Sequence, residues 1–372
     1  MQALELTRQL LRFNTVNPPG NERDCARHLG RLLENAGFAV AYHEFADKRT
    51  SLIARVGGTA DTKPLCFTGH IDTVPLGAAA WRTDAFAGDI DDGRLYGRGS
   101  SDMKGGVAAF VVAACRLASK LRATPGIVLV ITAGEETGCE GASHLAARPD
   151  ALGPAGALVV AEPTGNVPCI GHKGALWLHA RTSGITAHGS MPERGVNAIY
   201  KAARAVAKLE QFRFETVPHP VLGGPTLNVG TIRGGLNINS VPDAAEIGVD
   251  TRTMPDQRHA ALIERLAQVL GDDVKLDTVA DVEGVWTDAD HPWIQQAFEL
   301  AERITGARRT VRAVPYFTDA SALKRAMGDA PTVILGPGEI EQAHQTDEYC
   351  VVERIEQAVE LFTEIARRWT GA

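Results

Sequence analysis

The chain has 372 residues, of which 44% are hydrophobic and 22% are charged. A chain of this length and composition can bury a large core, and it favours two or more domains over one. Its 38 basic and 45 acidic residues give a formal net charge of -7, and because no basic block could follow a phosphate backbone, nucleic acid is not expected as a partner.

The N-terminal segment MQALELTRQLLRF predicts an amphipathic helix, because Glu5, Arg8 and Arg12 stand among its apolar residues. It lacks the unbroken apolar stretch of a signal peptide, and no segment approaches the roughly 20 apolar residues that a membrane span needs. The six cysteines are spread singly, without a CxxC pair, so we expect them to be reduced and mostly buried. These features predict a cytoplasmic protein without membrane contact.

Residues 1 to about 172 alternate helix and apolar strand, which is typical of an α/β domain with a largely parallel sheet. A helix is predicted over 21–36, where apolar residues recur at spacings of three and four and Gly37 follows. Strands covered on both faces are predicted at three apolar runs: 65–69, 127–133 and 157–161. Each run stops at a His or Glu, and ligands bind beyond the carboxyl ends of strands in such sheets, so the chemistry is expected there.

Between about 175 and 287 the predicted order of elements is βαββαβ, which indicates a ferredoxin-like unit. Alternation of helix and strand resumes after His291, with a buried strand at 331–336. The predicted fold class is therefore α/β, with a mostly parallel-sheet catalytic domain in two pieces, 1–174 and 288–372. The inserted ferredoxin-like domain is predicted at 175–287.

The segment GHIDTVP places His70 and Asp72 two residues apart at a predicted strand end, so both side chains leave the same face. This spacing suits a metal-binding histidine and its orienting carboxylate, because a metal-bound imidazole usually donates its other N–H to a carboxylate or carbonyl. A hydrogen-bonded structural pair is the alternative, and the HxD spacing alone favours it.

In GRGSSDMKGG, Asp102 lies in a Gly-flanked polar loop before a helix that is predicted to begin near Met103. A dinucleotide-binding loop would need glycine at position 102, and an acid there would repel a pyrophosphate. A cation ligand and a helix N-cap both explain Asp102, and the loop alone does not separate them.

Further acids and an imidazole follow later strands. Glu135 and Glu136 follow the run 127–133, and two adjacent carboxylates near the interior would repel each other without a nearby positive charge. One of them can bind a metal while the other serves as a general base, because neighbours on an extended segment point in different directions. Glu162 ends the next strand, and His344 supplies a late imidazole.

Together these residues provide two histidines and several carboxylates, which a pair of closely spaced divalent ions requires. Two dications carry four positive charges, which three ligand carboxylates and one bridging hydroxide offset. This balance leaves Glu135 free to act as the base.

The chain resembles the M20-type zinc peptidase/deacylase family, which includes acetylornithine deacetylase, succinyl-diaminopimelate desuccinylase, aminoacylase and a glutamate carboxypeptidase branch. The resemblance covers essentially the whole chain. It rests on the joint order of eight motifs: GHIDTVP, GRGSSDMKGG, TAGEETG, AEPT, TAHGSMPERGVNAI, GGLNINSVPD, DTR and LGPGEIEQAHQTDEY.

The resemblance implies a site for two Zn²⁺ ions, with Co²⁺ or Mn²⁺ as possible substitutes. It implies that Glu135 is the general base, that Asp72 supports the catalytic site, and that the peptide bond between Asp102 and Met103 is cis. The implied metal ligands are His70 and Glu162 for one ion, Glu136 and His344 for the other, and Asp102 as the bridge.

The inserted domain is expected, by the same resemblance, to be a lid through which the chain forms a homodimer. His188 resembles the family histidine that reaches across the dimer to stabilise the oxyanion, and an exposed loop histidine is the alternative. Arg252 and Asn239 resemble binders of the substrate carboxylate, which suits a two-pronged guanidinium, although Arg252 could instead be a surface strand residue. Gly336 and Thr318 are further substrate-binding candidates.

The expected activity is metal-dependent removal of an N-acyl group from a small amino acid, and the segments ERGVNAI and LGPGEIEQAHQTDEY are most similar to acetylornithine deacetylase. The desuccinylase, aminoacylase and dipeptidase or carboxypeptidase branches are alternatives. A catalytically silent metal-binding homologue is an alternative of another class. The presence of Glu135 with a full ligand set argues against the silent homologue, which has no need of a base.

Overall fold

The structure is a computed structural model that describes residues 2–58 and 62–372. In these residues the helices are α1 (Ala3–Leu11), α2 (Arg23–Asn35), α3 (Gly105–Leu117), α4 (Glu140–Ala146), α5 (Pro149–Leu152), α6 (Ala198–Gln211), α7 (His259–Leu270), α8 (Pro292–Thr305), α9 (Ala320–Ala326) and α10 (Val352–Thr370).

The strands of the same residues are β1 (Ala39–Ala46), β2 (Arg49–Val56), β3 (Leu65–His70), β4 (Ile90–Asp91), β5 (Arg94–Tyr96), β6 (Ile127–Thr132), β7 (Ala157–Val160), β8 (Gly171–His172), β9 (Gly174–Ser183), β10 (Ala187–His188), β11 (Thr226–Gly234), β12 (Ser240–Val241), β13 (Ala244–Thr253), β14 (Val274–Val282), β15 (Val285–Trp286), β16 (Thr332–Ile334) and β17 (Tyr349–Val351).

The chain divides into two compact units. The first consists of Met1–Gly171, Trp286–Val314 and Thr318–Ala372, and the second of His172–Val285 and Pro315–Phe317. The short segment 315–317 therefore belongs with the second unit, whereas the sequence analysis assigned it to the first. No apolar pattern marks this segment, because it is only three residues long.

The first unit contains a six-stranded sheet with the order β1-β2-β6-β3-β7-β16. The four strands from β6 to β16 run parallel, so the predicted mostly parallel sheet is confirmed. At one edge β1 and β2 are antiparallel, because only Asp47 and Lys48 connect them and a parallel pair needs a long crossover.

The central strands of this sheet are buried along their whole length, which explains why they are continuous apolar runs. Every residue of β3, β6 and β7 is buried. The ring of Phe67 on β3 lies 6.0 Å from Phe110 on α3 and 5.5 Å from Phe362 on α10. The core thereby fixes three neighbouring strands whose carboxyl ends carry polar residues.

The chain before α3 departs from the predicted helix start. Ser100–Lys104 forms one π-helical turn in which Asp102 and Met103 have non-helical backbone angles, and the regular helix begins at Gly105. The peptide bond between Asp102 and Met103 is cis, as expected. A helix that started at Met103 would not be compatible with this backbone.

The second unit is built on an antiparallel sheet with the order β11-β13-β9-β14. Its main elements follow the order β9-α6-β11-β13-α7-β14, which is the βαββαβ pattern. Burial alternates along β13, so one face of the sheet is apolar. That face contributes Leu176, Ile247 and Val249 to a core shared with Ala202 of α6 and Leu266 of α7.

The cysteines and the helices bear on the environment of the chain. All six cysteines are free; five are buried and Cys115 is half-buried, as predicted for small apolar side chains. In the described part of the chain, no helix combines the length and hydrophobicity that crossing a membrane would need.

Candidate metal centre

The strands β3, β6 and β7 end side by side, and this places the predicted polar residues together. His70 pairs with Thr132 in the parallel register of β3 and β6, while Thr68 pairs with Val160 of β7. The residues that follow β6 and β7 therefore emerge beside His70 at one edge of the sheet.

His70 is almost fully buried at the end of β3. Its Nε2 lies 3.1 Å from Asp102 Oδ1 and 3.8 Å from Glu162 Oε1. Its Nδ1 lies 3.0 Å from the backbone carbonyl oxygen of Asp72 and 3.5 Å from the Asp72 carboxylate. Because a carbonyl only accepts, Nδ1 carries the proton and Nε2 is the nitrogen available to a metal. The nearest orienting acceptor is thus the carbonyl of Asp72, where the sequence analysis expected its carboxylate.

The carboxylate of Asp72 instead holds the loop that follows β6. Its Oδ1 accepts the amide of Glu135 at 3.1 Å, and its Oδ2 accepts the amide of Glu136 at 3.2 Å. Oδ2 also accepts Asn17 Nδ2 at 2.9 Å. Burial opposes ionisation of Asp72, but the hydrogen bond and charge of His70 outweigh it, so the pKa of Asp72 lies below its ordinary value. Asp72 thereby fixes the direction of both glutamates.

Asp102 lies between the two histidines. Its Oδ1 faces His70, and its Oδ2 lies 3.5 Å from Nε2 of His344. His344 Nε2 also lies 3.1 Å from Glu136 Oε2. The other oxygen of Glu136, Oε1, is buried and has no hydrogen-bond partner in the described residues. A buried carboxylate oxygen without a donor fits a cation ligand.

These contacts form two groups of possible ligands that share one residue. In each group the ligand atoms lie within 4.8 Å of one another: His70, Asp102 and Glu162 in one, and Asp102, Glu136 and His344 in the other. Imidazole nitrogens with carboxylate oxygens are a donor set that zinc accepts, and cobalt and manganese tolerate it as well. The residues therefore fit a pair of divalent ions bridged by Asp102.

The charges of the centre point to the same fit. Burial raises the pKa of Glu162 well above its ordinary value, and the charge of Asp102 adds to that effect while His70 opposes it. Hydrogen bonds to Asp102 and Glu136 raise the pKa of His344 to about 10. The carboxylates thus repel one another and hold protons on the histidines, and cations among them would relieve that repulsion.

Glu135 lies beside these groups and belongs to neither. Its side chain is 5% exposed, and burial raises its pKa well above the ordinary value, with the charge of His70 opposing and that of Glu162 adding to the effect. The Cys139 thiol lies 4.0 Å from Glu135 Oε1. A buried carboxyl with a raised pKa has the properties of a residue that takes up and returns a proton.

Two substrate-binding candidates of the first unit have local contacts. Gly336 packs against the chain before Glu162: an added Cβ would lie 2.2 Å from the carbonyl oxygen of Ala161. Thr318 is fully buried, and its hydroxyl accepts the amide of Ala320 at the start of α9. Both residues therefore have evident structural roles near the strand ends.

The other three candidates lie in the second unit. His188 is exposed on β10, where its Nδ1 lies 2.7 Å from Ser190 Oγ. Asn239 is also exposed, and its carbonyl accepts the amide of Gly189 at 2.7 Å. Arg252 on β13 is about one-third exposed and forms an ion pair with Asp250, with Nε 3.1 Å from Oδ1.

Three buried residues around the centre are not predicted by any sequence motif. Asn17 binds the Asp72 carboxylate, Glu348 accepts the amide of Asp102, and Asp319 contacts the Thr132 hydroxyl at the end of β6. Burial raises the pKa of Asp319 to about 6. The charge of Asp319 also contributes to the raised pKa of Glu135. Asp319 directly precedes α9, so its position alone is that of a helix cap, and no spacing distinguished it.

Comparisons with known proteins identify the family of the chain. Residues 66–368 match the model of Peptidase family M20/M25/M40. The chain is 31% identical to an acetylornithine deacetylase of Proteus mirabilis, over 97% of this chain and 95% of that protein. It is also 31% identical to an acetylornithine deacetylase of Vibrio cholerae, over 94% and 92% of the two chains.

Solved structures share the fold. An M20 family metallo-carboxypeptidase of Sulfolobus solfataricus superposes with a TM-score of 0.82 at 18% identity, over 99% of both chains. A dinuclear metal-binding peptidase of the M20 family from Bacillus subtilis superposes with a TM-score of 0.72 at 16% identity, over 98% of this chain and 96% of that one. From its motifs, its fold and these matches, the chain belongs to peptidase family M20/M25/M40.

Proposed function

We propose that the protein is a two-metal amidohydrolase that removes the N-acyl group from a small amino acid, with N-acetylornithine as the first candidate substrate. The observation that carries the proposal is the pair of ligand groups that share Asp102, with the buried carboxyl of Glu135 beside them. The 31% identity to curated acetylornithine deacetylases supports the choice of substrate.

In this proposal five side chains would hold two Zn²⁺ ions, for which Co²⁺ or Mn²⁺ can substitute. When bound, such ions lower the pKa of a water and polarise the carbonyl of the amide. The ligands would be His70 and Glu162 for one ion, Glu136 and His344 for the other, and Asp102 for both.

Glu135 would carry the proton through the reaction. It takes a proton from the attacking water as the oxygen of that water bonds to the amide carbon. It then gives this proton to the leaving nitrogen as the C–N bond breaks, which leaves a carboxylic acid and an amine. The second proton of the water passes from the acid to the amine, so the products are a carboxylate and an ammonium group. Its buried surroundings favour this exchange because they raise its pKa well above the ordinary value of a glutamate.

The second unit would supply groups for the substrate. Arg252 is oriented by Asp250, and its guanidinium could bind the substrate carboxylate through two hydrogen bonds, with Asn239 as a second contact. His188 would stabilise the oxyanion in the partner subunit's site. Its exposure and its short contact with Ser190 are compatible with such a role.

A homodimer through the second unit is part of the proposal. Leu236 and Ile238 are almost completely exposed, Tyr200 is two-thirds exposed, and Ile185 and Ile232 are more than half exposed. Of these, Tyr200, Leu236 and Ile238 line one surface depression, and large apolar side chains that are grouped and exposed are typical of a protein interface. We also propose a cytoplasmic location, which the six unpaired cysteines support.

A substrate panel on zinc-loaded protein tests the proposed reaction. The panel contains N-acetylornithine, N-succinyl-diaminopimelate, other N-acyl amino acids and dipeptides, each with native and chelator-treated protein. We expect cleavage of N-acyl amino acids that disappears with the chelator and returns with zinc. Preference for dipeptides would reassign the enzyme to the dipeptidase branch, and zinc-loaded protein inert to the whole panel would favour the silent homologue.

A further inference from the structure

A carboxylate outside the proposed ligand set gathers the amides of the loop that bears Asp102. Glu348 is fully buried. Its Oε1 accepts the amides of Ser101 at 2.8 Å and Asp102 at 3.0 Å. Its Oε2 accepts the amide of Gly99 at 2.8 Å and Arg98 Nη1 at 2.9 Å. One side chain thus accepts four hydrogen bonds from four of the five residues 98–102.

The loop needs such an acceptor because its backbone is not helical. Gly99 has a φ of 90°, and Asp102 and Met103 lie outside helical angles. The amides of Gly99, Ser101 and Asp102 instead converge on one carboxylate. A charged acceptor makes each hydrogen bond stronger than a neutral one, so it fixes the backbone that carries the Asp102 carboxylate.

The same carboxylate connects this loop with the segment that bears His344. Glu348 lies four residues after His344, and its backbone carbonyl accepts the amide of Gly97 at 2.9 Å. The Ser101 hydroxyl donates to the carbonyl of Tyr349 at 2.7 Å. The side chains of Asp102 and His344 lie 3.5 Å apart, and the four hydrogen bonds to the Glu348 carboxylate are among the contacts that join their two segments.

We propose that Glu348 is a positioning residue that holds Asp102 where it can bridge two metal ions and keeps the His344 side chain beside Asp102. The inference rests on the proposed two-metal function. Glu348 belongs to neither of the two ligand groups. It acts on the metal centre through the backbone of residues 99–102.

The variant Glu348→Gln tests whether Glu348 acts as a hydrogen-bond acceptor or only fills the space inside the loop. The amide has the size of the carboxylate, but its NH₂ group must face at least one N–H of the loop, whichever way it is turned, so that side loses its acceptor. Asp347→Asn is the matched control, because it makes the same chemical change one residue earlier, where Asp347 Oδ1 accepts the amide of Arg82 and contacts no residue of the loop.

Zinc is first removed with a chelator, and its rebinding is then measured by titration calorimetry and elemental analysis. Circular dichroism of the metal-free proteins is the folding check. We expect wild type and Asp347→Asn to bind two zinc ions alike. We expect Glu348→Gln to bind them about 10- to 100-fold more weakly, the range for residues that orient metal ligands. Hydrogen exchange of the segment 97–104 should be faster in metal-free Glu348→Gln than in metal-free wild type.

The outcomes distinguish this inference from the proposed function. Wild type that binds two zinc ions while Glu348→Gln binds them equally tightly overturns the positioning role alone. Wild type that binds no zinc overturns the two-metal function and the inference with it. If Glu348→Gln does not fold, Glu348→Asp replaces it: it keeps the charge but is one methylene too short to reach all four donors, and unchanged zinc affinity in that variant also overturns the inference.

Discussion

At the scale of single residues, Glu135 differs from its neighbour Glu136 through its surroundings. Both amides are held by Asp72, but Glu136 faces His344 while Glu135 is buried beside Cys139. Two adjacent glutamates therefore take different positions, one in a ligand group and one next to it. This difference supports a division of labour between metal binding and proton transfer.

The base can be tested without disturbing the ligands. We expect Glu135→Gln to retain two zinc ions and to lose activity by about 10²- to 10⁴-fold, because only its proton transfer is removed. Zinc content and kcat on the preferred substrate are the measurements. Glu140→Gln, a half-exposed acid of the same segment, is the control and should keep both. A Glu135→Gln enzyme with a nearly normal rate would remove Glu135 from the role.

His344 gives the metal-free protein a predicted dependence on pH. Its folded pKa is raised to about 10 from an ordinary value of 6.5, through hydrogen bonds to Asp102 and Glu136. Since the folded pKa is raised, the stabilisation is complete below about 6.5 and is lost as pH rises toward 10. We expect the Tm of chelated protein to fall over that window, and to fall less in His344→Gln. Equal slopes in both proteins would show that His344 is not held by those carboxylates.

At the scale of elements, the site depends on how closely β16 approaches the end of β7. An alanine Cβ at Gly336 would lie 2.2 Å from the carbonyl oxygen of Ala161 and 2.5 Å from that of Glu162, and both are backbone atoms. The two segments would have to separate, which would move Glu162.

We expect Gly336→Ala to lower the free energy of unfolding by about 1–3 kcal/mol, the cost of overpacking a tight interior, and to weaken zinc binding. Denaturant unfolding of the metal-free protein and zinc titration are the measurements. Gly224→Ala is the control, because an added Cβ there meets nothing within 4 Å. Wild-type stability in Gly336→Ala would mean that this close approach is not needed.

The elements show how far sequence reasoning reaches. The strands β3, β6 and β7 could be predicted because a strand covered on both faces must be a continuous apolar run, and the polar residues at their ends followed. The start of α3 could not be predicted, because Asp102 and Met103 interrupt the helix through their backbone angles and not through their side chains. Glu348 and Asn17 could not be predicted either, because the groups they bind are remote in sequence and no motif spacing identifies them.

At the scale of the whole molecule, the proposed homodimer can be tested in two ways. Leu236→Asp together with Ile238→Asp should convert the protein to a monomer, because charges on exposed apolar side chains oppose burial in an interface. Analytical ultracentrifugation measures the change. Val217→Asp is the control, since Val217 is an exposed apolar residue outside that group. A double variant with unchanged mass would place the interface elsewhere.

Subunit mixing tests whether His188 serves the partner's site. His188→Ala and Glu135→Ala proteins are each expected to be nearly inactive. After mixing and subunit exchange, mixed dimers of a symmetric pair would contain one intact site, so about a quarter of the wild-type activity should return. No recovery, despite proven exchange, would mean that each site is contained in one chain.

The central claim is that five side chains hold two ions around a shared Asp102. Crystals of the zinc-loaded protein, measured at the zinc absorption edge, test it most directly. We expect two anomalous peaks roughly 3.5–4 Å apart, one among His70, Asp102 and Glu162 and one among Asp102, Glu136 and His344. A single peak, or none within those two groups, would contradict it.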